Sequence, residues 1–241
     1  MRQVIKMRTL KFSSILNGAA HLSGLDPDNL STSEFNRFRD MADGRLGMCW
    51  EGEYWPDTIR VVSAAVTDTD GVEVATFPAD AGEVLNVSSK NPRKTTANDL
   101  LAWTIYDDGT NRYIQLRDNA TPVWLEYRIV RPSLTGSVYS SSSTYSSGDQ
   151  VYHAGNFYDA NTAVAVNESP STTASKWDLV KIPAIFQSYL IRGVFADYLR
   201  ATGNNELAMA GDRNAESLLM MEADKLYRQQ GQMRRLDVQT Y

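Results

Sequence analysis

Histidine and cysteine, the residue types most used for proton transfer near neutral pH, for thiolate attack and for zinc binding, are sparse in this chain. Its two histidines, His21 and His153, lie in different surroundings, one within an amphipathic stretch and the other among aromatics. Neither has a His or Cys partner at helical spacing, so both read as surface or packing residues. Cys49 is the only cysteine. It excludes an intramolecular disulfide and a cysteine-based zinc site, and it fits synthesis in a reducing cytoplasm. Asp107 and Asp108 form a carboxylate pair of the kind that hydrolyses sugars when two acids stand at a suitable separation. Followed by Gly109 between two strand-like runs, they read as a hairpin turn. No Walker loop, Gly-rich dinucleotide turn or nucleophile elbow occurs. The chain is therefore expected not to be an enzyme and to hold no cofactor or metal.

The elements that must position these residues follow from composition and period. Over 241 residues, 42% are apolar and 22% charged, as in ordinary folded domains. The net charge of −5 argues against a broad basic face that grips nucleic acid, since such binding rests on phosphate neutralisation. DNA is expected only as passing cargo. No apolar run reaches the roughly 18–20 residues that span a bilayer, and the basic segment 1–10 lacks an apolar signal core. Neither a membrane span nor a signal peptide is expected.

Over 9–22, Leu10, Phe12, Ile15, Leu16, Ala19, Ala20 and Leu22 recur every three or four residues, which predicts an amphipathic helix stopped by Gly24. Ser31-Thr32-Ser33-Glu34 is a capping box opening a second helix to about Cys49. After Trp55-Pro56 the texture becomes β-branched and aromatic runs at 59–66, 72–77, 84–87, 100–106, 113–116 and 123–130. Turn signals between them predict an antiparallel β-domain. The stretch 136–181 is rich in Ser, Thr, Tyr, Gly and Asn. Tyr145, Val151, Tyr152, Phe157, Tyr158 and Trp177 give it enough apolar surface for a miniature core, so a small β module is expected. Pro183 opens a helix closed by Gly203, and a last helix runs to about Gln230. The fold class is thus α+β: a helical bundle from N- and C-terminal helices, with an inserted antiparallel β-domain and a small β module. The divisions are 1–55, 56–135, 136–181, 182–232 and a tail 233–241.

The order of these parts resembles the head-tail adaptors of tailed bacteriophages. The strings that carry the resemblance are Leu22-Ser23-Gly24-Leu25-Asp26-Pro27, Cys49-Trp50-Glu51, Trp55-Pro56-Asp57 and Val123 to Arg128 running into Arg131-Pro132. Ile182-Pro183, Arg200-Ala201-Thr202-Gly203 and Glu222 to Gln232 complete them. The resemblance implies a structural subunit of the virion neck, made in the bacterial host cytoplasm, that forms a ring joining the portal protein to the next neck or tail component. It implies a dodecamer. The tail Arg234-Arg235-Leu236-Asp237-Val238-Gln239-Thr240-Tyr241 alternates polar and apolar residues after Leu236, a pattern suited to adding a strand to a partner's sheet edge. It is expected to dock on the portal.

The module is similar to chitin-binding carbohydrate-binding modules of types five and twelve. Tyr145, Gly148-Asp149, Val151, Gly155, Tyr158, Pro170 and Trp177 follow that pattern in order. Where that family carries exposed Trp residues after the equivalent of Tyr158-Asp159-Ala160, this chain has Asn161-Thr162-Ala163, which removes the flat stacking platform. Tyr139, Tyr152 and Trp177 are the remaining candidates for glycan contact. The alternative function is a virion protein that binds host-surface glycan through this module. As an insertion, the module is expected to decorate the outside of the ring and to be removable from Gly136 to Val180.

Overall fold

The computed structural model describes residues 8–69, 72–94, 99–117 and 121–229. It is a mixed α+β structure of two compact units, Met1–Glu53 with Pro132–Tyr241, and Tyr54–Arg131. No helix among the described residues is long and apolar enough to cross a membrane.

The first unit begins with β1 (Thr9–Leu10), α1 (Phe12–Leu22) and α2 (Thr32–Gly52). Ser31 caps α2 as its sequence requires: the Glu34 N–H donates to the Ser31 hydroxyl at 3.2 Å, and the Ser31 N–H donates to the Glu34 carboxylate at 2.8 Å. The helix expected from Thr9 starts only at Phe12. Thr9 and Leu10 instead pair antiparallel with Pro183 and Ile182, so a long-range ladder overrides the local helical period.

The second unit holds β2 (Ile59–Ala64), β3 (Val66–Thr69), β4 (Val72–Thr76), β5 (Ala81–Ser88), β6 (Trp103–Asp107), β7 (Arg112–Leu116) and β8 (Val123–Ile129). They form two antiparallel sheets, ordered β2-β8-β5 and β3-β4-β7-β6. Val123, Leu125 and Tyr127 alternate inward along β8 and meet Val84, Val87, Ala75, Ile114 and Leu116 in one core fed by both sheets. Asp107 and Asp108 lie at the β6–β7 hairpin. Their carboxylates accept from the N–H groups of Gly109 and Thr110, each at 2.8 Å, and Gly109 has a positive φ.

The chain then returns to the first unit with β9 (Ser137–Val138), β10 (Gln150–His153), β11 (Asn156–Ala160), β12 (Trp177–Leu179), β13 (Ile182–Pro183), α3 (Gln187–Ala201) and α4 (Asn205–Gln229). Strands β12-β11-β10-β9 make a small sheet. Pro183 ends β13 rather than opening a helix, and a 3-10 turn over Ala184–Phe186 leads into α3. Beyond α3, Gly203 donates to Arg200 O at 3.1 Å and Asn204 to Leu199 O at 2.9 Å, using up two end carbonyls before α4 begins. Helix α3 packs against α1, α2 and α4.

Candidate functional site

The small sheet has two working faces, because neighbouring residues on a strand point opposite ways. Val151, Ala160 and Trp177 share one face and form a cluster with Val164, Tyr139, Tyr145 and Tyr158. Tyr152 pairs directly with Phe157, and both face away from that cluster toward the helices. Phe12 of α1 meets Phe157 with ring centroids 4.8 Å apart and Tyr152 at 5.8 Å, while Phe35 of α2 lies 4.9 Å from Tyr152. Phe12 and Phe157 are both 1% exposed. The sheet is therefore part of the core of the first unit. The expectation of a removable decoration fails here, because excision would bare Phe12 and Phe35 to water.

A backbone contact reinforces this junction. Lys11, which precedes α1, provides no side-chain cap. The Ser13 N–H, one of the orphan donors at the start of the helix, instead donates to the carbonyl of Gly155 at 2.9 Å. Gly155 sits with Ala154 in the two-residue turn between β10 and β11, with φ of 90° and 48°. A Cβ at Gly155 would stand 2.7 Å from the Ser13 hydroxyl, so glycine is needed both for the turn and for the approach. Gln150 holds the entry to the module. Its carbonyl accepts from Thr135 at 2.8 Å and Gly136 at 3.0 Å, and its amide donates to Ser133 O and to the Asp159 carboxylate. Arg39 of α2 donates to Gly136 O at 3.1 Å, and Asp43 accepts from Leu134 N–H at 2.7 Å.

Beside this junction lies an open cleft of about 390 Å³. Ser13, Leu16 and Asn17 of α1, Pro27, Asp28, Leu30, Thr32 and Phe35 around the start of α2, and Val138, Tyr152, Ala154 and Gly155 of the module line it. Hydroxyl, amide and carboxylate groups alternate with apolar patches, a lining suited to a neutral, hydroxyl-rich ligand. Burial raises the Tyr152 phenol above the usual tyrosine value, so it stays protonated.

Of the three glycan candidates, only Tyr152 lines this cleft. Trp177 is 5% exposed and donates from Nε1 to Glu168 O at 3.3 Å. Tyr145 and Tyr139 meet it edge-on, with ring centroids 5.6 and 6.4 Å away, so Trp177 is a core residue with no open face for a sugar. Tyr139 is half-buried between Tyr145 and His153. The His153 ring is hydrogen-bonded to the Ser171 hydroxyl at 2.8 Å. Among the described residues, no group of three His, Cys, Asp or Glu side chains could hold a metal ion. The expected portal-docking residues, Arg234 to Tyr241, lie outside the described residues.

Two features lie apart from the module, and the first had no sequence signal. Arg45, 8% exposed, donates to both carboxylate oxygens of Asp197 at 2.7 and 2.6 Å and to Asp212 at 2.5 Å, joining α2, α3 and α4. Arg200 bridges the same two aspartates. Gly193 makes room, since a Cβ there would lie 2.9 Å from the Arg45 Cδ. The hydrogen bonds that Arg45 donates to Asp197 push its guanidinium further up, against the opposing effect of burial. Burial alone would raise the Asp212 carboxyl, but hydrogen bonds from Arg45 and Arg200 outweigh it and hold the group below the ordinary value.

The second feature is α4. With 25 residues against the 15 of α3, it outreaches its packing partner. Its buried residues are alanines, Ala208, Ala215 and Ala223. Leu207, Met209, Met220 and Met221 are each more than half exposed, and Tyr227 nearly so. At 100° per residue Met209, Met220 and Tyr227 fall on one side of this helix. The Tyr227 hydroxyl donates to Glu53, just past α2, at 2.6 Å. No family model matches the chain, and no curated protein matches it either.

Proposed function

We propose that this chain is a structural, non-enzymatic adaptor subunit of a tailed-phage neck. In this reading the helices from both ends of the chain form a bundle, with the β-domain and the module as insertions. Copies assemble into a ring, a dodecamer by resemblance, between the portal protein and the next component, with DNA passing through. The observation that carries the reading is α4, a long helix that buries alanines and leaves Leu207, Met209, Met220 and Met221 to solvent. Exposed apolar side chains along a helix that outreaches its packing partner suit burial against another chain, and closed rings repeat one interface. A second copy of the chain is the occupant proposed for it. Arg234 to Tyr241 supply portal attachment.

The test is particle imaging together with co-purification. The full chain mixed with portal rings gives a stacked double ring by electron microscopy, whereas a chain ending at Gln232 keeps its thermal stability and no longer co-purifies. A full chain that ignores portal rings and never forms rings of its own would overturn the reading.

The cleft supports glycan binding as a second reading, since Tyr152, Asn17 and Thr32 line it together. Calorimetric titration with chitin oligosaccharides tests it. Binding that Asn17→Ala weakens would favour it, and no heat at millimolar sugar would remove it.

A further inference from the structure

Main-chain hydrogen bonds in the sheet β3-β4-β7-β6 can be assigned by their alternation. Phe77 donates to Arg112 O, Asp108 to Asn111 O and Arg117 to Ala102 O. In an antiparallel pair, bonded and non-bonded residues alternate along each strand. With the registers Ile105↔Ile114 and Tyr106↔Tyr113, this makes Thr104 and Tyr106 the bonded partners of β7. The N–H and C=O groups of Trp103, Ile105 and Asp107 then point outward. On β4, Ala75 bonds to β7, so Val74 bonds to Thr67 of β3. The main chain of Val66 therefore points outward from the opposite edge.

Among the described residues, no strand pairs with the outer side of β6. This edge carries Thr, Ile and Tyr where edges normally carry Lys or Pro, and Ile105 and Tyr106 are 49% and 48% exposed. By contrast, the outer edge of β5 in the other sheet is covered by 99–101, through Leu101 N–H to Val87 O and Ser89 N–H to Asp99 O. The sheet has four strands, an even number, each antiparallel to its neighbour, so its two edge strands run in opposite directions. When a second copy brings its β3 beside β6 in the same orientation, the new pair is antiparallel. Opposing Ile105 to Val66 joins outward-pointing main chains and keeps both side chains on the face that carries Ile114 and Ala75.

We infer that copies of this chain join edge to edge, β6 of one to β3 of the next, with Ile105 opposite Val66 and Thr104 opposite Thr67, so that their sheets merge into one continuous belt. The pairing is heterologous, joining different edges, and repeats head to tail. This inference rests on the ring reading and specifies a lateral contact.

The test uses full-length chains carrying Thr67→Cys, Thr104→Cys or both. Thr104 and Thr67 would form a non-hydrogen-bonded pair, whose side chains approach closely enough for a disulfide. Cys49 is buried and stays unreactive. On mild oxidation the double variant gives a ladder of covalent multimers, each single variant alone gives monomer, and the two mixed give a dimer and nothing larger. Dimers from Thr104→Cys alone would mean two β6 edges pairing about a two-fold axis and would overturn the inference. In parallel, Ile105→Lys, at a half-exposed position, keeps its melting temperature but needs at least about ten-fold more protein to assemble. Rings that form without a ladder and survive Ile105→Lys overturn the edge pairing and leave the adaptor reading standing. Chains that give neither rings nor ladder overturn both.

Discussion

Helix α2 meets its neighbours by opposite chemistries at two places. Near its start, Phe35 enters a cluster of rings with Phe12, Tyr152 and Phe157. Further on, Arg45 enters a cluster of charge with Asp197, Asp212 and Arg200. The ring cluster is held by excluded water and shape, so its strength follows buried area and ignores pH and salt. The charge cluster is directional. Removing one member strands the others, and protonation weakens it. The same helix also meets α3 through rings, Phe38 stacking on Tyr198 at 5.6 Å, so the contrast lies between two clusters and not between two partners.

The largest test of this contrast is excision of Gly136–Val180 behind a short Gly-Ser bridge. Losing the sheet bares Phe12 and Phe35, takes away the Gly155 carbonyl that serves α1, and cuts the ties from Gln150 and Arg39. The expected product is insoluble or lacks a cooperative thermal transition. A soluble protein with sharp melting would mean that the ring cluster is dispensable.

Single substitutions sharpen the comparison. Phe157→Ala is expected to cost about 3–5 kcal/mol by urea unfolding, with no dependence on salt. Arg45→Ala is expected to cost about 3 kcal/mol, the lower end for a broken buried pair, because Asp197 and Asp212 keep Arg200 and remain partly exposed. Equal salt dependence of the two losses would erase the distinction. Gly155→Ala should cost about 1–3 kcal/mol through its positive φ and the contact with Ser13.

Acid provides the finest test. The Asp212 carboxyl is held below its ordinary 3.8, so its contribution is complete above that value and is lost as pH falls through the depressed one. Asp159, in the module, has the opposite sign. Burial raises its carboxyl, assisted by nearby Asp178 and opposed by a hydrogen bond from Gln150. Its contribution is therefore complete below 3.8 and is lost as pH rises through the raised value. Asp212→Asn should flatten the fall in stability below pH 3.8, and Asp159→Asn should remove a smaller slope of the other sign above it, both read from unfolding midpoints against pH.

Local chemistry made part of this fold legible. The Ser31–Glu34 box, the alternation of β8 and the turn at Gly109 depend on residues within a few positions of one another, and the structure has them where their sequence predicts. The aromatic content of the module predicted a miniature core, yet two of those five rings, Tyr152 and Phe157, belong to a second surface. Tyr152 and Phe157 alternate with Val151 and Tyr158, but alternation cannot say what lies across the outer face. Arg45 looked like any polar helical residue, because its carboxylates come from α3 and α4, far along the chain. The cleft is illegible for the same reason: Asn17, Thr32 and Tyr152 come from three separate segments.

The bond from Ser13 to Gly155 also sets an order of events during synthesis. An isolated helix of 11 residues is marginal in water, and α1 has no side-chain cap at its N-terminus. Its missing cap lies on a hairpin made only after α2 and the whole β-domain have been translated. At about 5–20 residues per second, that delay is on the order of ten seconds. The β10–β11 hairpin needs only neighbouring residues and closes in about 1–10 μs once made. The first helix of the chain is therefore expected to be among the last to settle, and until then Phe12 and Ile15 are open to whatever chaperone or neighbouring chain reaches them first.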